Sequence, residues 1–175
     1  MPLQSDGLLD LRPPAFERDD MTDQHGAAPA ADDALDFCLR MARAQAVLVR
    51  RLDVTLGGLH GISFGDFQLL YHLNRAPGAR LRRVDLAERL ALTASGVTRT
   101  LLPLEKIGLV TRQPDPRDAR VGYAAISAAG QELLRHASAT AATISAELLR
   151  EAPPEQLGAL SALLGQIAGM NFSNS

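Results

Sequence analysis

Residues 93–110 read TASGVTRTLLPLEKIGLV, and the way this stretch folds decides the reading of the whole chain. With Thr93 as N-cap, Ala94, Val97, Leu101 and Leu104 form one apolar stripe at helical spacing, suited to a core. Ser95, Thr98, Arg99 and Leu102 then face the other way. Pro103 interrupts the pattern: it removes the bond to the Arg99 carbonyl and costs roughly 3 kcal/mol in a regular helix interior. The stripe nevertheless runs through Pro103 unbroken. Leu102 would be a poor N-cap for a new helix, and Gly108 is the better stop signal. The stretch predicts one kinked helix from Ala94 to about Ile107, with the proline on its outer face.

Just upstream, Leu86, Ala87 and Leu90 mark the inner face of a short helix from about Arg82 to Leu90, followed by the tight turn Ala91-Leu92-Thr93. Two short helices so joined make a helix-turn-helix, whose second helix enters the DNA major groove N-terminus first. That accounts for the small front end of the second helix, because bulky side chains there would hold the backbone away from phosphates and base edges. Hydroxyls and exposed N–H groups bind phosphate, and a long arginine reaches a guanine edge. Thr93, Ser95, Gly96, Thr98 and Arg99 are therefore the expected DNA-binding residues of this helix. Downstream, LVTRQPDPRDARVGYAAI offers two short β-prone runs around a Pro/Asp/Arg turn, which reads as a hairpin. Arg112, Arg117 and Arg120 flank its tip, with Asp118 placed to orient one of them. An arginine on such a ribbon can enter the narrow minor groove, where the negative potential is strongest.

The rest of the chain fits around this core. Its 175 residues suit one domain of ordinary size, 46% of them hydrophobic but only 4% aromatic, with no Trp; that composition favours packed helices over a β-sandwich. One cysteine excludes an intramolecular disulfide and a Cys-rich zinc site. The longest apolar runs fall short of a membrane span, and the first twenty residues lack the signature of a signal peptide, so a cytoplasmic protein is expected. Residues 1–36 carry a net charge of −7 and residues 80–120 a net charge of +4, a basic middle that suggests a polyanion partner.

Residues 1–32, rich in Pro, Asp, Gly and Ala without a sustained period, read as a disordered acidic arm within which Met21 offers an alternative start. Residues 33–62 read as a long amphipathic helix, ending before Gly57-Gly58, and a loop. Residues 63–126 hold the helix-turn-helix and hairpin, opened by Ser63 as N-cap of a helix that stops near Ala76-Pro77-Gly78. Residues 127–175 read as two helices: one capped by Ser127 and running to about Glu151, the other from about Pro154 to Met170. Helices so poor in charge need a partner surface, and a second subunit is one candidate.

The segment LAERLALTASGVTRTLLPLEKIGLVTRQPDPRDARVGYAAISAAG resembles the winged helix-turn-helix of MarR-type transcriptional regulators. The resemblance is carried by Leu104 to Val110 at the end of the recognition helix, by Asp118 and Arg120 of the wing, and by Ile126, Ser127 and Gly130 at the next helix start. It implies a mainly α protein with a small β-hairpin wing and terminal dimerisation helices. It also implies a homodimer that represses nearby genes from double-stranded DNA and is released by a small, often aromatic or phenolic ligand, here expected to be an acid. Separately, the four histidines show no metal spacing, and neither an enzyme nor a cofactor is expected. On this resemblance Ser95, Thr98 and Arg99 fall at base-reading or phosphate-binding positions and Arg120 at the minor-groove position. A family-like effector site would lie near Arg50, Arg51, His60, Ser63 and His72.

Two other signals compete. Gly61-Ile62-Ser63-Phe64-Gly65 matches the G-x-S-x-G elbow of serine hydrolases, but it lacks the parallel sheet that motif needs, and an N-cap serine between loop glycines explains it better. One MarR branch senses organic hydroperoxides through a lone cysteine near the start of the first long helix, roughly where Cys38 lies. Ala42 and Leu52 stand where that branch has supporting tyrosines, so Cys38 is expected to be a packed thiol, with redox-sensing repression as the alternative function.

Overall fold

The computed structural model describes residues 30–115 and 122–169. Most of the acidic arm, including Met21, and the wing-tip residues Arg117, Asp118 and Arg120 lie outside the described residues. In chain order the elements are α1 (Ala31–His60), α2 (Phe64–Arg75), a short 3-10 turn (Pro77–Ala79), β1 (Arg80–Arg82), α3 (Arg83–Arg89), α4 (Ala94–Lys106), β2 (Val110–Pro114), β3 (Gly122–Ile126), α5 (Ala128–Leu148) and α6 (Pro154–Ile167). The chain divides at Leu39 into two units. The described part of the first is essentially the opening of α1, where Leu35 and Leu39 are exposed. The second, from Arg40 onward, holds one apolar core.

Helix α1 does not stop before Gly57-Gly58 as expected but continues to His60. Mid-helix glycines cost only about 1 kcal/mol each relative to alanine, and here the burial of Leu52 and Leu56, just ahead of the pair, holds the helix in the core. The end comes at Gly61, whose φ of 70° no ordinary residue takes without strain. Ser63 caps α2 as expected: its Oγ accepts from the Asp66 amide at 3.1 Å, and the Asp66 carboxylate accepts from the Ser63 amide at 3.0 Å. The G-x-S-x-G serine is thus part of a capping box between two helices.

The hairpin is present but belongs to a three-stranded antiparallel sheet of order β1-β3-β2. The expectation missed β1, in which Arg80, Leu81 and Arg82 pair with Ala125, Ala124 and Tyr123. Leu81 points into the core and the two arginines to the other side, the period-2 alternation of a strand. Three residues are too few to show that period in sequence.

Helix α4 keeps its proline. Val97, Leu101 and Leu104 are 0–2% exposed, and each contributes about 1.5–3 kcal/mol by burial; together they outweigh the roughly 3 kcal/mol cost of Pro103. Pro103 is exposed, and the ladder resumes with the Ile107 amide on the Pro103 carbonyl at 3.1 Å. Ala94, expected on the core stripe, is exposed instead, because the first turn projects beyond the core. The helix ends in a Schellman motif: Gly108 sits at φ 77°, its amide reaches the Glu105 carbonyl at 3.1 Å, and the Leu109 amide reaches Leu104 at 2.9 Å. The same motif closes α3, with the Ala91 amide on Glu88 at 3.1 Å and the Leu92 amide on Ala87 at 2.9 Å. There an alanine, not a glycine, holds the left-handed position at φ 51°, a strain of about 1 kcal/mol.

Helix α5 starts where expected and locks onto the end of α4. The Ser127 hydroxyl donates to the Gly108 carbonyl at 2.6 Å, its amide donates to Leu109 at 3.0 Å, and its Oγ accepts from the Gly130 amide at 3.0 Å. The recognition helix is thereby anchored at its C-terminal end to the long helix that follows the wing. Helix α5 stops at Leu148 and α6 at Ile167, each about three residues before the expected limit. Along α6 only Gly165 is buried, while Leu160, Leu163, Leu164 and Ile167 form an exposed apolar stripe.

Candidate nucleic-acid interface

The front of α4 is built as the sequence implies. Thr93 is extended, with φ −74° and ψ 160°, and its Oγ1 accepts from the Gly96 amide at 3.1 Å. Ser95 Oγ lies 3.0 Å from Thr93 Oγ1, so both hydroxyls share the exposed rim of the helix start. Gly96 has a packing reason as well as an access reason: a Cβ there would stand 3.3 Å from Thr93 Oγ1 and 3.5 Å from Leu92 Cβ, crowding the cap.

Arg99 lies on the face opposite Val97 and Leu101 and is exposed. Among the described residues it has no hydrogen bond or ion pair, so its guanidinium is uncommitted. Thr98 is different. Its hydroxyl donates to the Ala94 carbonyl at 3.0 Å and accepts from Arg83 Nη2 at 2.7 Å. Arg112 is also engaged, for its Nε meets Glu105 Oε1 at 2.7 Å and Oε2 at 2.9 Å. That charge-assisted contact raises the Arg112 pKa and ties strand β2 to the end of α4. Arg112 therefore serves the seating of the wing beside the recognition helix. Arg117, Asp118 and Arg120 lie outside the described residues.

Sequence reasoning missed a basic cluster beside this face. Arg80 stacks on the Tyr123 ring at 4.7 Å and donates to Gln113 Oε1 at 3.3 Å. Arg82 Nε donates to the Tyr123 hydroxyl at 3.3 Å, and this bond, with Tyr123, Asp85 and Asp115 acting through space, raises the Arg82 pKa. The arginines were visible in the sequence, but their meeting depends on the β1–β3 register.

The residues expected around an effector are dispersed among other partners. Arg51 pairs with Glu147 at 3.2 Å, His60 Nε2 lies 2.8 Å from Thr140 Oγ1, and Ser63 is held in its capping box. Arg50 lines a shallow groove on α1 with Ala42, Gln45, Ala46, Val49, Asp53 and Val54, and the other four line no part of it. Burial, then Arg89 and Arg75, hold the His72 imidazole below its ordinary range, so it is neutral at neutral pH and offers an acid no cation. Cys38 is exposed on α1 and not packed as expected, as are its neighbours Leu35 and Leu39. Among the described residues no group of His, Cys, Asp and Glu could hold a metal ion, and no helix is long and apolar enough to cross a membrane.

A turn-linked helix pair whose second helix exposes hydroxyls and a free arginine, beside a three-stranded wing, defines a winged helix-turn-helix. Residues 60–121 match the model of the MarR family. The fold is similar to Sco3205, a MarR family transcriptional regulator of Streptomyces coelicolor solved in complex with DNA: TM-score 0.72, 26% identity, covering 87% of this chain and 96% of that one. It is similar to the transcriptional regulator BldR of Sulfolobus solfataricus, with TM-score 0.71 and 26% identity over 79% of this chain and 99% of that one. A mutant MarR of Escherichia coli complexed with operator DNA shares the fold at TM-score 0.70 and 20% identity, over 80% of this chain and 99% of that one. No curated protein sequence matches. Over residues 60–121 the chain is thus similar to the MarR family, and its fold is that of MarR-type winged helix-turn-helix transcriptional regulators.

Proposed function

We propose that this protein is a homodimeric, non-enzymatic repressor that binds a pseudo-palindromic operator in the cytoplasm and is released by a small aromatic or phenolic acid. The observation that carries the DNA reading is Arg99: exposed, without a protein partner among the described residues, and opposite a fully buried helix face. Sco3205, solved in complex with DNA, supports the same reading by likeness. The dimer reading rests on the exposed α6 stripe. Two recognition helices must stand about 34 Å apart to enter successive major grooves, and a two-fold dimer supplies that spacing. In this scheme residues 1–32 are an arm, 33–62 and 127–175 dimerise, and 63–126 bind DNA, with Arg117, Asp118 and Arg120 at the wing tip. Release by an acid rests on family likeness alone. Redox sensing is the alternative, and the exposure of Cys38 is the observation in its favour.

Selection of duplexes from a random pool tests the reading. Wild type is expected to enrich inverted half-sites, and Arg99→Ala to lose preference at defined positions by about 1–3 kcal/mol per half-site. Unchanged enrichment by Arg99→Ala would rule this face out as the reading surface.

A further inference from the structure

We propose that Arg82 and Arg83 bind the phosphodiester strand that runs between the two grooves this protein occupies. The inference rests on the DNA reading above. A recognition helix in the major groove and a wing directed at the adjacent minor groove straddle one sugar–phosphate strand. Groups in the seam between helix and wing therefore face phosphates.

Both arginines sit in that seam. Arg83 Nη2 donates to Thr98 Oγ1 on α4 at 2.7 Å, while its Cδ lies 3.8 Å from where a Cβ on Gly122, at the base of the wing, would stand. Its side chain thus touches both walls. Arg82, one residue earlier and exposed, is tied to the wing through the Tyr123 hydroxyl at 3.3 Å. Each guanidinium carries five N–H groups in a planar fork, and these contacts use one apiece, leaving donors for a phosphate. Asp85 and Asp115 are the carboxylates acting on Arg82, and a phosphodiester would compete with them.

The geometry also reassigns a role. Thr98 gives its only proton to the Ala94 carbonyl and so has none to donate to a phosphate oxygen. Arg83, hydrogen-bonded to that hydroxyl, supplies the donor at the same place. Thr98 accepts from Arg83 there and makes no phosphate contact of its own.

The test uses the full chain and a duplex selected from a random pool by wild type. Arg82→Gln and Arg83→Gln are each expected to flatten the dependence of log affinity on log salt by about 0.9 for every phosphate left without its arginine. Between 50 and 200 mM salt that is about threefold less weakening for each such phosphate. The base sequence each variant selects should match wild type, and Thr98→Ala should keep the wild-type slope. Replacing single phosphates of the straddled strand by methylphosphonate should weaken wild type at one position to which Arg83→Gln is indifferent. Wild-type slopes in both arginine variants would overturn the proposal. So would a Thr98→Ala variant that reproduces Arg83→Gln, since Arg83 would then act only through that hydroxyl. Should Arg83→Gln fail to fold, Arg82→Gln, at an exposed position, decides. If wild type selects no duplex at all, the DNA reading itself has failed, and this inference with it.

Discussion

Gly130→Ala is expected to lower the stability of this protein by about 3 kcal/mol, a large share of the roughly 5–15 kcal/mol that holds an ordinary domain folded. A Cβ on Gly130 would run into the Leu109 carbonyl oxygen and stand 2.8 Å from Ile126 Cγ1. The oxygen belongs to the backbone and cannot swing aside as a side chain would. It accepts the Ser127 amide at 3.0 Å, and the Leu109 amide is held by Leu104 at 2.9 Å. Making room costs about 1–3 kcal/mol of overpacking and about 1 kcal/mol for each hydrogen bond broken. Because this junction sets the end of α4 against the start of α5, the recognition helix would lose its seat with it. Gly57→Ala, where a Cβ meets nothing within 4 Å, is the control and should stabilise α1 by up to about 1 kcal/mol. Urea denaturation reads both; equal midpoints for Gly130→Ala and wild type would show that the close approach is not real.

Removing the residues after Glu151 is expected to abolish dimerisation and lower affinity for the selected duplex by at least about 100-fold. Helix α6 contributes only Gly165 to the buried set and leaves Leu160, Leu163, Leu164 and Ile167 at 40–51% exposure. A stripe of that kind stabilises an assembly more than the protomer. Once separated, each half binds one half-site without the gain from linkage between the two. Sedimentation velocity gives the oligomeric state, and circular dichroism shows whether the remaining helices stay folded. A truncated chain that is monomeric and binds with wild-type affinity would refute the two-fold arrangement.

The features legible in the sequence share one property: they are local. Thr93, Ser63 and Ser127 announce their helices because an N-cap hydroxyl bonds an amide three residues on. Gly108 marks the end of α4 because a Schellman turn needs a left-handed residue at that point. The stripe through Pro103 was readable because three buried side chains outweigh one missing bond. What escaped depends on distant partners. Strand β1 exists through pairing with β3 more than forty residues later, and Gly57-Gly58 stays helical because the core holds Leu52 and Leu56. The same holds within the candidate site. Arg99 follows from helical phase, but the engagement of Arg112 by Glu105 and of Thr98 by Arg83 depends on how the wing and α3 dock on α4. Charge alone marked the segment as basic without saying which arginines were free.

The central claim is that Arg99 reads a base edge from the outer face of α4. Its most direct test is the affinity for the selected duplex when each guanine in turn is replaced by 7-deazaguanine, which lacks the N7 acceptor of a bidentate arginine contact. Wild type is expected to lose about tenfold or more at one guanine per half-site, and Arg99→Ala to lose nothing further at that guanine. Equal losses in both proteins at every guanine, or none in either, would contradict the account.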